Sequence, residues 1–388
     1  MACGHTLRDL KVRKKERGLG TEILSPQTSK SQGSERSGRQ DANVYTDRVP
    51  MRVPPSGLRW LAVATTCGMF LVLVMGAAVT NTGSAEGCGR SWPLCNGQFV
   101  PEFTVSTAIE YSHRAVTGVE GLLVLGLTAV MLRLWRTDRE AAVPALLMFV
   151  TLILQAGLGA GAVLAPQAPL MLATHFGVSL VAFAATFLSA AVVFDRTRPA
   201  ASHRPVPPRK FRRWVLGISL YVLVVVYLGA YIRHAGISLV CADWPLCNGQ
   251  VIPSLDGPTG VVFAHRLGAC GVVLLLGWLA WQARVVHFGS RAAAAAFGLS
   301  VLQAVTGALV VWTALGLFST LAHAGIMALL FACLAYLVRL ALQRADVRIE
   351  ATVPRARERP STAAPAGRRR PASTPLSPRS AGRRTPSR

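Results

Sequence analysis

Between Arg59 and Arg339 the chain carries eight stretches of about 20 residues that are apolar almost throughout, each long enough to cross a hydrocarbon core of roughly 30 Å. They run approximately over Trp60–Thr80, Thr107–Leu132, Val143–Ala165, Leu170–Phe194, Trp214–Ile232, Thr259–Ala283, Ala292–Trp312 and Gly316–Leu340. A backbone exposed to lipid must satisfy its own hydrogen bonds, so stretches of this length are predicted to be helices and not strands. The expected fold class is an all-α integral membrane protein with eight transmembrane helices.

The remaining sequence has the opposite character. The chain is 52% hydrophobic yet bears a net charge of +23, so its basic residues must lie outside the lipid. Arg133, Arg136 and Arg139 follow the second span, a basic stretch from Arg196 to Arg213 follows the fourth, and Arg284 and Arg291 flank the turn after the sixth. The alternate loops are nearly free of Lys and Arg: Arg90 is the exception in the first, and none occurs between His234 and Pro258. The positive-inside rule then predicts a multi-pass protein of the cell (plasma) membrane with both termini cytoplasmic. The first apolar run begins only after a long polar segment and is long enough to span, so it reads as a signal anchor rather than a cleaved signal peptide. Residues 1–57 and 342–388, rich in Ser, Pro, Gly and Arg, are expected to be disordered basic tails attracted to anionic lipid. Tyr45 is the one aromatic residue among the tail arginines and no folded module is visible there, so no nucleic-acid partner is expected.

The spans come in two matching sets. The heptapeptide WPLCNGQ occurs at Trp92–Gln98 and again at Trp244–Gln250, an offset of 152 residues, which marks an internal repeat. The domains follow: a first four-helix half over 58–195, a basic linker over 196–213, and a second half over 214–341. Four helices per unit return the chain to the same side, so the two bundles are expected to be pseudo-symmetric as a parallel repeat. Each copy of the heptapeptide has a second cysteine upstream. Six residues lie between Cys88 and Cys95, and five between Cys241 and Cys247. In outward-facing loops these pairs are expected to form local disulfides, with a metal site as the competing reading. Cys67, Cys270 and Cys333 are isolated inside spans and read as packing residues.

Four histidines fall in the even-numbered spans. His113 and His265 differ by 152, and His175 and His323 by 148; Gln155 with Gln303, Gly159 with Gly307, and Gly177 with Gly325 share the second offset. Polar side chains in a bilayer are costly and generally face a bundle interior, where they bind something or relay protons. Two imidazoles per half suit haem, whose iron can be held from opposite faces of the ring; copper is the alternative ligand for imidazole. Gly177, Gly325, Gly118 and Gly268 would leave room for a porphyrin edge, or serve ordinary helix packing. Arg114 and Arg266 are candidate propionate partners, or snorkel to the interface.

One residue breaks the repeat at a telling place. Glu110 lies three residues before His113 on the same helical face, where the second half has Val262. It reads either as an interfacial carboxylate in water or as a catalytic one beside a bound ring. Glu120, further along the same span, is a second intramembrane acid that could relay protons.

As a set, the eight spans in two halves, Glu110-Tyr111-Ser112-His113-Arg114, His175, His265, His323 and the cysteine pairs resemble the haem A synthase family over about Arg59 to Leu340. That resemblance implies a membrane-bound oxidoreductase that oxidises a methyl group of haem O to a formyl group, giving haem A for cytochrome oxidase assembly. It implies haem B as resident cofactor on His265 and His323, haem O as substrate at His113 and His175, and Glu110 near the reacting group. A haem O-producing enzyme is a candidate partner, and the electron acceptor is unknown. The family links the first cysteine pair, Cys88 with Cys95, to function; Cys241 with Cys247 reads as structural. Two other classes compete: a b-type electron-transfer protein, which would need the histidines but not Glu110, and a membrane thiol-disulfide oxidoreductase, which would need the cysteines but not the histidines.

Overall fold

The computed structural model describes residues 56–164, 168–196 and 206–343. The predicted tails, save for the few residues that join the first and last helices, and the centre of the basic linker lie outside the described residues. Among the described residues there are eight helices: α1 (Ser56–Asn81), α2 (Val105–Trp135), α3 (Arg139–Leu164), α4 (Pro169–Asp195), α5 (Arg209–His234), α6 (Gly257–Val285), α7 (Ser290–Trp312) and α8 (Leu317–Leu342). All are long and apolar enough to span a membrane. The protein is thus an integral multi-pass membrane protein. The described residues contain no strand beyond two isolated bridges, Cys95 with Gln98 and Cys247 with Gln250, one inside each heptapeptide.

Five of the helices, α1, α2, α4, α5 and α6, extend past the predicted apolar cores at both ends, and α3, α7 and α8 do so at one end. α5 is the clearest case: it begins at Arg209, so Arg209, Lys210, Arg212 and Arg213, assigned to the linker by sequence, are helical. Long basic side chains lay their stems on the apolar surface and carry the charge out to water, so a helix need not stop where hydrophobicity does. Starts are set locally: the Thr104 hydroxyl accepts the Thr107 N–H at 3.2 Å to cap α2, and Pro169 opens α4 where no helical N–H is needed.

Within each half, consecutive helices pack as neighbours and the first packs against the fourth. Between halves, α4 packs on α5 and on α8, and α1 packs on α8. Exchanging α1–α4 for α5–α8 maps this set of neighbours onto itself. The halves therefore meet through α1, α4, α5 and α8, and α4 is the most buried helix, with Leu180, Phe183, Ala185 and Val192 in the core.

Of the two readings offered for the glycines, space for a ring or helix packing, packing is what two of them do at this seam. A Cβ on Gly177 would lie 2.3 Å from Cζ of Tyr227 on α5, and one on Gly325 would lie 3.3 Å from Phe70 and 3.9 Å from Val74 on α1. Val74 and Tyr227 are themselves repeat partners, offset by 153. Gly177 and Gly325 thus let the halves approach, the packing role of small residues in lipid where apolar surface alone gives no driving force. Gly268 likewise receives the Val225 side chain, whereas nothing approaches Gly118. Cys67 and Cys270 lie exposed on the bundle surface rather than in packing positions, and only Cys333 is partly buried, its thiol donating to the Ala292 carbonyl.

At the end of the bundle opposite the heptapeptide loops, Arg339 of α8 reaches Asp195 of α4 at 2.9 Å and Glu140 of α3 at 3.6 Å, tying the halves together across the seam. Gly177→Val should lower the thermal unfolding midpoint in detergent, costing about 1–3 kcal/mol from overpacking. Combination with Tyr227→Ala should return part of the loss. Unfolding followed by circular dichroism checks both, and an unchanged midpoint in Gly177→Val would contradict the seam.

Candidate haem sites beneath the disulfide loops

Both heptapeptide loops close as disulfides. Cys88 bonds to Cys95 and Cys241 to Cys247, with Cα atoms 4.4 and 4.6 Å apart. The four residues are no more than 2% exposed, so thiol exchange would require the loops to open. The loops share their construction: Asn96 and Asn248 take positive φ, followed by Gly97 and Gly249, and each Trp-Pro bond is cis. The one-residue difference in cysteine spacing shifts the repeat register from 153 before the loop to 152 after it, and the uniform 152 offset could not show this.

That shift reveals a partner for every histidine. An added Cβ would lie 3.4 Å from the His113 ring at Gly76 of α1, 3.7 Å from His175 at Gly159 of α3, 2.6 Å from His265 at Gly229 of α5, and 3.3 Å from His323 at Gly307 of α7. Each imidazole on an even-numbered helix rests on a glycine of the helix before it. Sequence reasoning had matched Gly159 with Gly307 but missed Gly76 and Gly229, whose offset is 153. The histidines lie in the second or third turns of their helices, and His113 is within electrostatic reach of His175 as His323 is of His265. Among the described residues no three His, Cys, Asp or Glu side chains converge as a metal-holding group.

The pairs differ in what holds them. In the second half the Nδ1–H of His265 donates to the Val225 carbonyl at 3.2 Å. A carbonyl only accepts, so this contact leaves Nε2 with its lone pair free for a metal. His323 has the Thr306 hydroxyl 3.1 Å from Nδ1, and the Gln303 amide nitrogen 3.2 Å from Nδ1 and 3.0 Å from Nε2. In the first half Nδ1 of His113 and of His175 is buried with no hydrogen-bond partner. Gln155, the repeat partner of Gln303, donates instead to the His175 carbonyl at 2.9 Å and to the Ser179 hydroxyl, and Thr306 is replaced by Leu158. Two imidazoles per half, each with a nitrogen donor in an apolar bundle, have the chemistry that would hold a haem iron.

Glu110 is only 4% exposed, which removes the reading of a carboxylate in open water. Its Oε2 accepts the Cys88 N–H at 2.8 Å, and its Oε1 accepts from Arg114 Nε at 3.1 Å and Nη2 at 2.5 Å. Arg114 Nη1 donates to the carbonyls of Ser91 at 2.7 Å and Leu94 at 2.8 Å. Four of the five guanidinium N–H groups therefore go to protein acceptors. The corresponding Arg266 donates to the Leu246 and Cys241 carbonyls. Both predicted propionate partners brace the loops above the histidines.

The second half has its carboxylate in the loop. Asp243, at the position of Ser91, accepts the N–H groups of Gly249 at 2.7 Å and Asn248 at 2.5 Å, where Ser91 Oγ accepts only Gly97 N–H at 3.1 Å. The Gly249 N–H, aided by that of Asn248 and by the Arg266 charge, holds the Asp243 carboxyl below its ordinary value of 3.8. A carboxyl whose folded value is depressed contributes stability that is fully present above the unfolded value and lost as pH falls through the folded one. Acidification below about 4 should therefore speed amide exchange at Asn248 and Gly249, beyond the intrinsic pH effect, and leave Asn96 and Gly97 unchanged. Hydrogen exchange read by mass spectrometry checks this, and equal responses of the two loops would refute it.

Comparison with known proteins agrees with this geometry. The family described as "Cytochrome oxidase assembly protein" matches residues 100–335. "Heme A synthase" of Symbiobacterium thermophilum is 40% identical over 293 residues, covering 74% of this chain and 95% of that protein. "Heme A synthase" of Geobacillus kaustophilus is 42% identical over 303 residues, covering 75% and 94%, and that of Bacillus cereus is 38% identical over 294 residues, covering 73% and 93%. The family match over residues 100–335 takes in all four histidines and the second disulfide loop, and the chain belongs to the haem A synthase family of cytochrome oxidase assembly proteins.

Proposed function

We propose that the two halves divide the work of a haem A synthase: the first binds haem O between His113 and His175 for oxidation beside Glu110, and the second retains haem B on His265 and His323. The chain is a membrane oxidoreductase that converts haem O to haem A, as its family membership establishes. The observation that carries the division is the difference in imidazole support. His265, held through Nδ1 by the Val225 carbonyl, and His323, whose Nδ1 meets the Thr306 hydroxyl, are oriented before the iron arrives, which suits a resident cofactor; the Gln303 amide N–H, a donor, would have to leave His323 Nε2 for iron to bind there. Histidines without such partners in the described structure suit a ligand that must enter and leave.

Haem B, when bound, supplies a one-electron redox centre. The chain's own groups account for the rest. Oxidising a ring methyl to a formyl group removes hydrogen as protons and electrons, and positive charge develops on the reacting carbon when water is the oxygen source. Glu110 is the carboxylate on the face of His113, and Arg114 and the Cys88 N–H fix its position, so it meets the requirement for preorganised charge stabilisation and proton acceptance near that carbon. The disulfide between Cys88 and Cys95 supports the same arrangement, because it holds the Cys88 N–H over Glu110. Its role in this reading is structural. The heptapeptide loops face outward and the termini lie in the cytoplasm of a bacterial-type plasma membrane topology, as the distribution of arginine supports.

Glu110→Ala should keep the b-type spectrum while haem A falls about 100- to 1,000-fold, the usual cost of removing an electrostatic or acid–base group. Haem O or a hydroxylated intermediate should accumulate. Mass analysis of haems extracted from cells expressing each variant reads this out. Wild-type haem A levels in Glu110→Ala would overturn the role given to Glu110.

A further inference from the structure

Glu120 is a second buried acid of the first half, and no part of the arrangement described above uses it. It is 3% exposed, and neither carboxyl oxygen has a hydrogen-bond partner. Burying such a group inside a membrane bundle is costly unless something satisfies it. It lies seven residues after His113, two turns further in and on the same face of α2, about 10 Å along the axis. The helix opposite makes room for it: a Cβ on Gly68 of α1 would fall 2.1 Å from Glu120 Oε2, so the carboxyl occupies space that only a glycine leaves open.

The second half fills this space differently. The repeat partner of Glu120 is Val272, buried at 7% exposure, and that of Gly68 is Tyr221, whose hydroxyl is satisfied by the Gly268 carbonyl at 3.2 Å. An apolar floor in one half and an unsatisfied carboxyl in the other correspond to a chemical difference between two ring ligands. Haem O carries a hydroxyethylfarnesyl group where haem B carries a vinyl group, and its hydroxyl is the added polar group on an otherwise apolar edge.

We infer that Glu120 accepts a hydrogen bond from the hydroxyethylfarnesyl hydroxyl of haem O and so makes the first half selective for haem O over haem B. This rests on the reading that the first half is the substrate site. Propionates need water and cations, which lie toward the loops, so the farnesyl-bearing edge on the far side of the ring points inward. Glu120 side-chain atoms lean toward the N-terminus of α2 and hence back toward His113, as side chains on any helix do. A site built to bond a hydroxyl rejects the analogue that lacks it far better than an apolar pocket can. Gly68 is the positioning residue that lets the carboxyl occupy its place.

The test is titration of the purified full-length protein, with haem B retained in the second half, by added haem O and by added haem B, followed by the Soret difference spectrum. Wild type should prefer haem O. Glu120→Val, which installs the residue native to the second half, should weaken haem O binding about 10- to 100-fold with haem B binding unchanged or tighter. Glu120→Gln, which keeps a hydrogen-bonding carbonyl, should retain most of the preference. The resident b-type spectrum reports folding in every variant. If His113→Ala abolishes haem O binding and Glu120→Val keeps the wild-type preference, the inference is wrong while the substrate-site reading stands. If His113→Ala binds haem O as wild type does, both fail.

Discussion

Each of the four imidazoles lies on a glycine of the preceding helix, and most of what distinguishes this bundle follows from that contact. A Cβ at Gly229 or Gly307 would press on the ring, at 2.6 and 3.3 Å, whereas one at Gly76 or Gly159 would only touch it, at 3.4 and 3.7 Å, so the glycines matter most to how closely α5 and α6, and α7 and α8, pack at the level of the histidines. Those pairs set the depth of the sites. The loops that join α1 to α2 and α5 to α6 then close directly over them, clasped by a disulfide and by an arginine one residue after the histidine of the even-numbered helix.

On this shared scaffold the halves differ by a few polar groups. The second half spends them on the histidines, through the Val225 carbonyl, Gln303 and Thr306. The first half places them elsewhere on α2, at Glu110 three residues before His113 and Glu120 seven after it, while Nδ1 of His113 and of His175 goes unpaired. In the proposed division of labour, the distribution of hydrogen-bonding groups is what separates a holding site from a reacting one. The seam through α1, α4, α5 and α8 keeps the two at a fixed separation.

Much of this was legible in the sequence because lipid admits so few backbone solutions. Eight long apolar stretches could only be helices, and the repeated heptapeptide aligned His113 with His265 and exposed Glu110 opposite Val262. Contacts between helices were not legible. Gly177 and Gly325 were candidates for space beside a ring, but their role depends on which helix crosses them, and Tyr227 and Phe70 fill that space. Gly76 and Gly229 were hidden by a single-residue register shift inside the loop. Arg114 and Arg266 carry the right charge for propionates, but charge does not disclose that loop carbonyls compete for the same N–H groups. Glu120 showed as an intramembrane acid, and only the fold shows that nothing in the described chain satisfies it.

The central claim is that the second half holds its haem more firmly than the first because its imidazoles are oriented by hydrogen bonds. Transfer of haem from the purified, doubly loaded protein to an excess of apomyoglobin measures this directly. Two phases should appear, with the slow one absent in His265→Ala and accelerated in Thr306→Val, and the fast one absent in His113→Ala. A single phase, or a slow phase that disappears with His113→Ala and survives His265→Ala, would contradict the account.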